Sequence, residues 1–205
     1  YPEDKQKEVP YPMSRKNPFV MPILKWVGGK RQLLDSINPL IPECSTYYEP
    51  FIGGGAVLFG RQPNKAVIND SNEELINVYR MIKEEPEELI AALSAHKKQN
   101  CEEYYYTVRA WDRDKETYQT RTNVERAARI IYLNKTCYNG LFRVNSSGEF
   151  NSPWGRYKNP NITNEAISVG TSAITTFSMT FCVVMPSNTC GGVERTSGRF
   201  VVCSI

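Results

Sequence analysis

The stretch Tyr47-Tyr48-Glu49-Pro50-Phe51-Ile52-Gly53-Gly54-Gly55-Ala56-Val57-Leu58-Phe59 constrains this chain more than any other. An acid, a proline and an aromatic lead into three consecutive glycines, and an apolar segment of helical character follows. Glycine admits left-handed backbone and lets a ligand approach where a Cβ would otherwise stand. Between the exit of a strand and the start of a helix, such a run is where α/β proteins hold nucleotide-like cofactors. The same glycines also fit an ordinary turn between two apolar segments. The flanking text has to separate the two.

Downstream lies Lys65-Ala66-Val67-Ile68-Asn69-Asp70-Ser71-Asn72-Glu73. Residues 66–68 are apolar and partly β-branched, which predicts a buried parallel strand. Asp70 stands at its C-terminal edge, roughly 20 residues after the glycines, where dinucleotide-binding folds place an acid that accepts from ribose hydroxyls. Asp70 also suits the N-cap of a helix expected over 73–83. Glycine loop, helix, strand and acid in that order favour the cofactor reading. Upstream, Lys25-Trp26-Val27-Gly28-Gly29-Lys30-Arg31-Gln32 sets a cation and an indole before two glycines and a second cation, with a helix expected through Ile37. Glycines opening a helix beside a lysine suit an anionic group. The segment is not a Walker A loop, because the first glycine is missing and Arg31 stands where Ser or Thr would bind Mg²⁺.

Composition narrows the classes without choosing one. The 205 residues fit one domain with an insertion or two small ones, and a net charge of +3 permits nucleic acid as partner without arguing for it. No apolar run approaches the roughly 20 residues of a membrane span, and no signal-peptide core precedes the first motif. A cytoplasmic protein is expected. Six cysteines without a CxxC pair predict neither a zinc site nor a disulfide framework. His96, the only histidine, falls in a polar helix expected over 87–99 and reads as a solvated surface residue. Pro2, Pro10, Pro12 and Pro18 mark residues 1–19 as a flexible arm.

From Pro86 the pattern turns helical, with apolar spacing over 87–98 and 125–133 around a polar, aromatic stretch at 102–122. An all-helical block between α/β elements reads as an inserted module. It ends in Tyr138-Asn139-Gly140-Leu141-Phe142-Arg143 and Phe150-Asn151-Ser152-Pro153-Trp154-Gly155-Arg156-Tyr157-Lys158. Asn139-Gly140 and Ser146-Ser147-Gly148 are hairpin-turn signals. Tips carrying Asn, Tyr, Arg and Lys suit groove reading, since Arg matches guanine edges and Asn adenine edges. A solvated polar ribbon fits the same composition.

Together these segments, in this order across residues 20–162, resemble the D12-class adenine-specific DNA methyltransferases of the Dam and DpnM type, most nearly the GATC-reading, DpnM-like branch. The resemblance implies a Rossmann-like S-adenosylmethionine-dependent α/β fold, with residues 20–80 and 161–205 forming an incomplete cofactor domain. Residues 81–160 would be a helical DNA-recognition insert ending in a β-hairpin. It implies that Trp26, Lys30, Pro50, Phe51, Gly53, Gly55 and Asp70 hold S-adenosylmethionine, with Asp70 at the ribose. Lys25, Leu141, Arg143, Pro153 and Arg156 would read or grip duplex DNA, and Tyr138 and Asn139 would lie near a flipped-out adenine. A monomer with no metal is expected.

One family feature is missing. The catalytic acid–Pro–Pro–aromatic tetrapeptide, which accepts from the target amino group and stacks on the extruded base, occurs nowhere in the 205 residues. After Glu165 the text becomes rich in Ser, Thr, Val, Cys and Gly, and Ser204 stands where the catalytic acid belongs. The expectation is a truncated or frame-disrupted product, with a genuinely divergent tail as the alternative, and weak or no cofactor binding and no methyl transfer. The alternatives are a non-catalytic sequence-specific DNA-binding module and a remnant that does not fold fully. Residues 165–205 would add a strand or two.

Overall fold

The computed structural model describes residues 22–163, 178–183 and 201–202. The arm expected at 1–19 lies outside the described residues. Seven helices and four strands are used below: α1 (Leu34–Ile37), β1 (Tyr47–Glu49), α2 (Ala56–Arg61), β2 (Lys65–Asp70), α3 (Glu73–Glu84), α4 (Pro86–Gln99), α5 (Glu102–Arg109), α6 (Lys115–Thr120), α7 (Asn123–Thr136), β3 (Ser178–Val183) and β4 (Val201–Val202). The sheet runs β3-β2-β1-β4, and every neighbouring pair is parallel.

Parallel order follows from the text. β2 reads Ala66, Val67, Ile68 without polar alternation; Ala66 and Ile68 are buried on one face, Asn69 is buried and Val67 half-buried on the other, as a strand covered on both faces requires. β1 has neighbours on both sides, β2 and the later β4, so the chain reverses its direction of winding beside β1. The crevice at the carboxyl end of such a reversal is where open α/β sheets bind ligands. The glycine loop starts there. β3 and β4 supply two strands after residue 165, within the span where a strand or two is expected.

Helices α3, α4, α5 and α7 pack together, with α7 against the other three. α7 starts on a capping box: Glu125 N–H donates to Thr122 Oγ1 and Thr122 N–H to Glu125 Oε2. Its face Ala127, Ala128, Ile130, Ile131 and Leu133 is buried, at about 1.5–3 kcal/mol for each large aliphatic side chain. Arg129 on the same helix is also buried, paired to Asp112 at 2.8 Å and donating to the Val108 and Arg109 carbonyls.

Four expectations are corrected here. His96 is not a solvated surface residue: it is 5% exposed, with Nδ1 2.8 Å from Tyr104 Oη and its ring stacked on Tyr132. Those partners come from α5 and α7, so the polar spacing along α4 alone hides the cluster. Asp70 does not cap α3; Asn72 does, accepting from Leu75 N–H, while Asp70 Oδ1 accepts from Asn72 N–H. The helix expected after Gly29 opens as a 3₁₀ turn, Lys30–Leu33, and only Leu34–Ile37 is α-helical. The expected β-hairpin is a narrow ribbon without regular strands. Asn145 N–H donates to Glu149 O and Asn151 N–H to Arg143 O, and Val144 and Phe150 form a single isolated bridge. Asn145 explains the break, because its side chain takes the Ser147 and Glu149 amides in place of ladder partners.

Candidate functional site

A cleft of about 270 Å³ opens at the carboxyl ends of β1 and β2. Trp26, Val27, Gly28, Gly29 and Lys30 form one wall, and Glu49, Phe51, Ile52, Gly53, Gly54 and Asp70 the other. The loop is clamped at Gly53: its N–H donates to Asp70 Oδ2 at 3.0 Å, and its carbonyl accepts from Tyr79 Oη at 2.8 Å. Asn69 takes the loop from behind, donating to Pro50 O, while its own carbonyl accepts from Ile52 N–H. The Trp26 ring lies so close that a Cβ on Gly53 would sit 3.1 Å from it. Its other neighbour is Phe142, stacked at 4.6 Å.

The predicted cofactor residues divide into two groups. Trp26, Lys30, Phe51, Gly53 and Asp70 line the cleft. Pro50 and Gly55 lie behind it. Gly55 caps α2 with φ +73, and a Cβ there would stand 2.7 Å from Tyr79 Oη and 2.9 Å from the Phe59 ring, so this glycine serves core packing. Phe51 is 62% exposed, an apolar ring held over the opening.

Sequence reasoning passed over Glu49 as a site residue. It is 3% exposed at the end of β1, and Oε2 is buried with no hydrogen-bond partner. Burial pushes its carboxyl up to about 7, although a Tyr47 hydrogen bond, the Lys30 charge and a Leu58 backbone bond pull the other way. An orphaned carboxylate oxygen at the floor of a cleft is a seat for a cation or an N–H donor. Its position ahead of Pro50 and the glycines was the signal available.

The second face gathers the predicted DNA residues. Asn139 and Gly140, at φ +57 and +64, form the centre of a turn closed by Leu141 N–H to Tyr138 O. Asn134, at the end of α7, pins this turn to Lys25, beside the Trp26–Lys30 wall of the cleft. Its Oδ1 accepts from Lys25 N–H, and its Nδ2 donates to the Lys25 and Gly140 carbonyls. Lys25, Tyr138, Asn139, Leu141, Arg143, Pro153 and Arg156 are all exposed. Arg156 holds φ +56, a conformation that costs a non-glycine residue about 1–2 kcal/mol. Lys135, also unremarked in the sequence, sits beside them. Burial and the neighbouring Lys25 charge bring its ammonium down to about 8.

Among the described residues no group of three or more His, Cys, Asp or Glu could hold a metal ion, and no helix is long and apolar enough to cross a membrane.

The profile of the D12 class N6 adenine-specific DNA methyltransferases matches residues 26–179, and so runs past Glu165 into β3. The chain is similar to Type II methyltransferase M1.LlaDCHI of Lactococcus lactis subsp. cremoris, 52% identical over 147 residues, 71% of this chain and 51% of that protein. It is also similar to Type II methyltransferase M.MjaIII of Methanocaldococcus jannaschii, 43% identical over 163 residues, 71% of this chain and 56% of that one. DNA adenine methylase of Escherichia coli K12 is 38% identical over 139 residues, 67% of this chain and 48% of the other. The chain thus spans about half the length of these relatives. The four-stranded parallel sheet with its helices is consistent with a methyltransferase fold, and the profile covers most of the sequence. This chain belongs to the family of D12 class N6 adenine-specific DNA methyltransferases.

Proposed function

We propose that this chain supplies the cofactor cleft and the DNA-reading face for adenine-N6 methylation of duplex DNA, at GATC. Residues 81–160 act as the target-recognition unit. The observation that carries the reading is the cleft itself, where an aromatic wall, an exposed glycine backbone and two carboxylates converge at the switch of the sheet. The cofactor is S-adenosylmethionine, whose sulfonium methyl is the group transferred.

The residues present fit its parts. Trp26 and Phe51 offer apolar faces to the adenine ring, and Asp70 offers a carboxylate to the ribose. Lys30 faces the amino-acid carboxylate, and the orphaned Oε2 of Glu49 suits a cationic end. On the second face Lys25, Lys135 and Arg156 grip phosphates, which fixes register without reading sequence. Arg143 and Leu141 read base edges in the major groove. Tyr138 and Asn139 line the space for an adenine taken out of the stack, which chemistry at its amino group requires.

The chain on its own transfers no methyl group. An acid–Pro–Pro–aromatic segment is needed to accept from the amino group and stack on the base, and these 205 residues contain none. Incubation with radiolabelled S-adenosylmethionine and a GATC duplex tests both halves. Weak cofactor retention that falls about tenfold further in Phe51→Ala, with no label in DNA, is the expected result. Label incorporated into the duplex overturns the inactivity, and retention unchanged by Phe51→Ala overturns the assignment of the cleft.

A further inference from the structure

The DNA-reading ribbon contains one contact that its exposure does not require. Arg143 Nε donates to Asn151 Oδ1 at 2.9 Å across the ribbon, beside the backbone bond from Asn151 N–H to Arg143 O. Among the described residues nothing else holds the guanidinium, so its two terminal nitrogens stay available.

Asn151 is itself anchored on both sides. Phe150 before it is buried, with its ring 5.5 Å from Phe142; its N–H donates to Asp112 Oδ2 at 2.8 Å, and its carbonyl accepts from Arg113 at 2.6 Å. Asp112 is in turn paired with Arg129, which is 2% exposed. Ser152 after it is buried, its hydroxyl donates to Leu141 O, and its carbonyl accepts from Tyr105 Oη at 2.8 Å. The amide of Asn151 is therefore a fixed acceptor mounted on the helical core, while Arg143 stands exposed above it.

We propose that Asn151 is a positioning residue for sequence reading, holding Arg143 by Nε so that its two terminal nitrogens present a preset fork to a single guanine. This rests on the proposal that the ribbon reads DNA. An arginine side chain carries substantial rotamer entropy, and a planar fork loses less of it per bond when one edge is already fixed. Guanine N7 and O6 are the paired acceptors in the major groove that such a fork fits. Asn151 then contributes to discrimination without touching a base.

The test uses the full chain and fluorescence anisotropy on two duplexes, one with GATC and one with 7-deazaguanine replacing that guanine. Wild type binds the second about tenfold more weakly, the loss of one acceptor of the pair. Asn151→Ala removes most of that ratio, and adding Asn151→Ala to Arg143→Ala changes nothing further. Asn151→Asp keeps an acceptor for Nε and keeps the ratio. In the DNA-free protein the Arg143 Nε–H proton exchanges slowly in wild type and fast in Asn151→Ala. Asn151→Ala that discriminates like wild type, or effects that add in the double variant, overturns the positioning role. A wild type that binds both duplexes alike while its Nε–H exchanges slowly overturns the reading of guanine by the ribbon, and leaves the contact itself in place.

Discussion

The cleft under the glycine loop and the ribbon over residues 143–151 are built by opposite means. The cleft is cut into the sheet, and its loop is fixed where Gly53 is gripped by Asp70 and by the buried Tyr79, with Phe59 and Tyr79 packed beneath. The ribbon has little apolar backing of its own. Val144 and Leu141 are 43% and 41% exposed, and between residues 143 and 151 only Phe150 is buried. What holds it is its base, where the buried Phe150 packs on Phe142 and Ser152 bonds Leu141 and Tyr105, together with a polar joint, Arg129 to Asp112 to the Phe150 backbone, reinforced by Arg113. Packing defines the shape of a cleft for a small rigid ligand, whereas a polar joint fixes one point and leaves the outer turn free to follow a groove.

The largest test of this contrast removes the joint. Arg129→Met leaves Asp112 without its buried partner and removes the guanidinium bonds to the Val108 and Arg109 carbonyls, at a cost of about 3–5 kcal/mol. In urea unfolding the variant should lose protection of the ribbon amides first, with S-adenosylmethionine binding retained below the transition. Equal loss in both regions would make them one cooperative unit and end the contrast. On the cleft side, Gly55→Ala should cost about 3 kcal/mol, because left-handed strain adds to a Cβ driven against Tyr79 and Phe59. There the cofactor should be lost and the ribbon amides kept.

These two sites also show what the sequence makes legible. That Glu49, Phe51, Gly53 and Asp70 meet at one cleft was readable because its parts are contiguous: Glu49 to Gly55 in one run, and Asp70 one helix and one strand later. The glycines look alike in the text, yet Gly53 lines the cleft and Gly55 packs on Tyr79, a residue on another element. The buried state of His96 and the polar joint at Arg129 were not readable for the same reason, since their partners arrive from α5, α7 and the 3₁₀ turn Ala110–Arg113. Local periodicity reports which way a residue faces on its own helix and not what meets it there. The regular hairpin expected from Asn-Gly and Ser-Gly signals yielded to the Asn145 side chain, which competes for the amides a ladder would use.

The cleft and the helical core around His96 should also answer pH in opposite directions. Glu49 titrates at about 7 folded against 4.5 when free, so its burial penalty is absent below pH 4.5 and grows as pH rises to 7. His96 is pushed by burial down to about 4 from 6.5, so its penalty is absent above pH 6.5 and grows as pH falls to 4. Each shift corresponds to about 3–3.5 kcal/mol across its window. Relative to wild type, Glu49→Gln should gain stability from pH 4.5 to 7, and His96→Phe should gain it from pH 6.5 to 4. Denaturation midpoints measured at half-unit pH steps check both. A flat difference for either variant would mean that its side chain keeps one charge state through folding.

The smallest expected effect isolates backbone strain from packing. Gly148 at the tip of the ribbon has φ +77, close to Gly55, but a Cβ there meets nothing within 4 Å. Gly148→Ala therefore carries only the left-handed penalty of about 1 kcal/mol, and Gly148→Asn less, because asparagine tolerates that region. Neither should change S-adenosylmethionine affinity. Set beside Gly55→Ala, the pair shares a left-handed φ, +77 and +73, and differs in what surrounds it. The difference in their denaturation midpoints thus measures packing at the cleft. If the two alanine variants cost the same, the space beneath Gly55 yields, and the cleft is no more tightly packed than the ribbon.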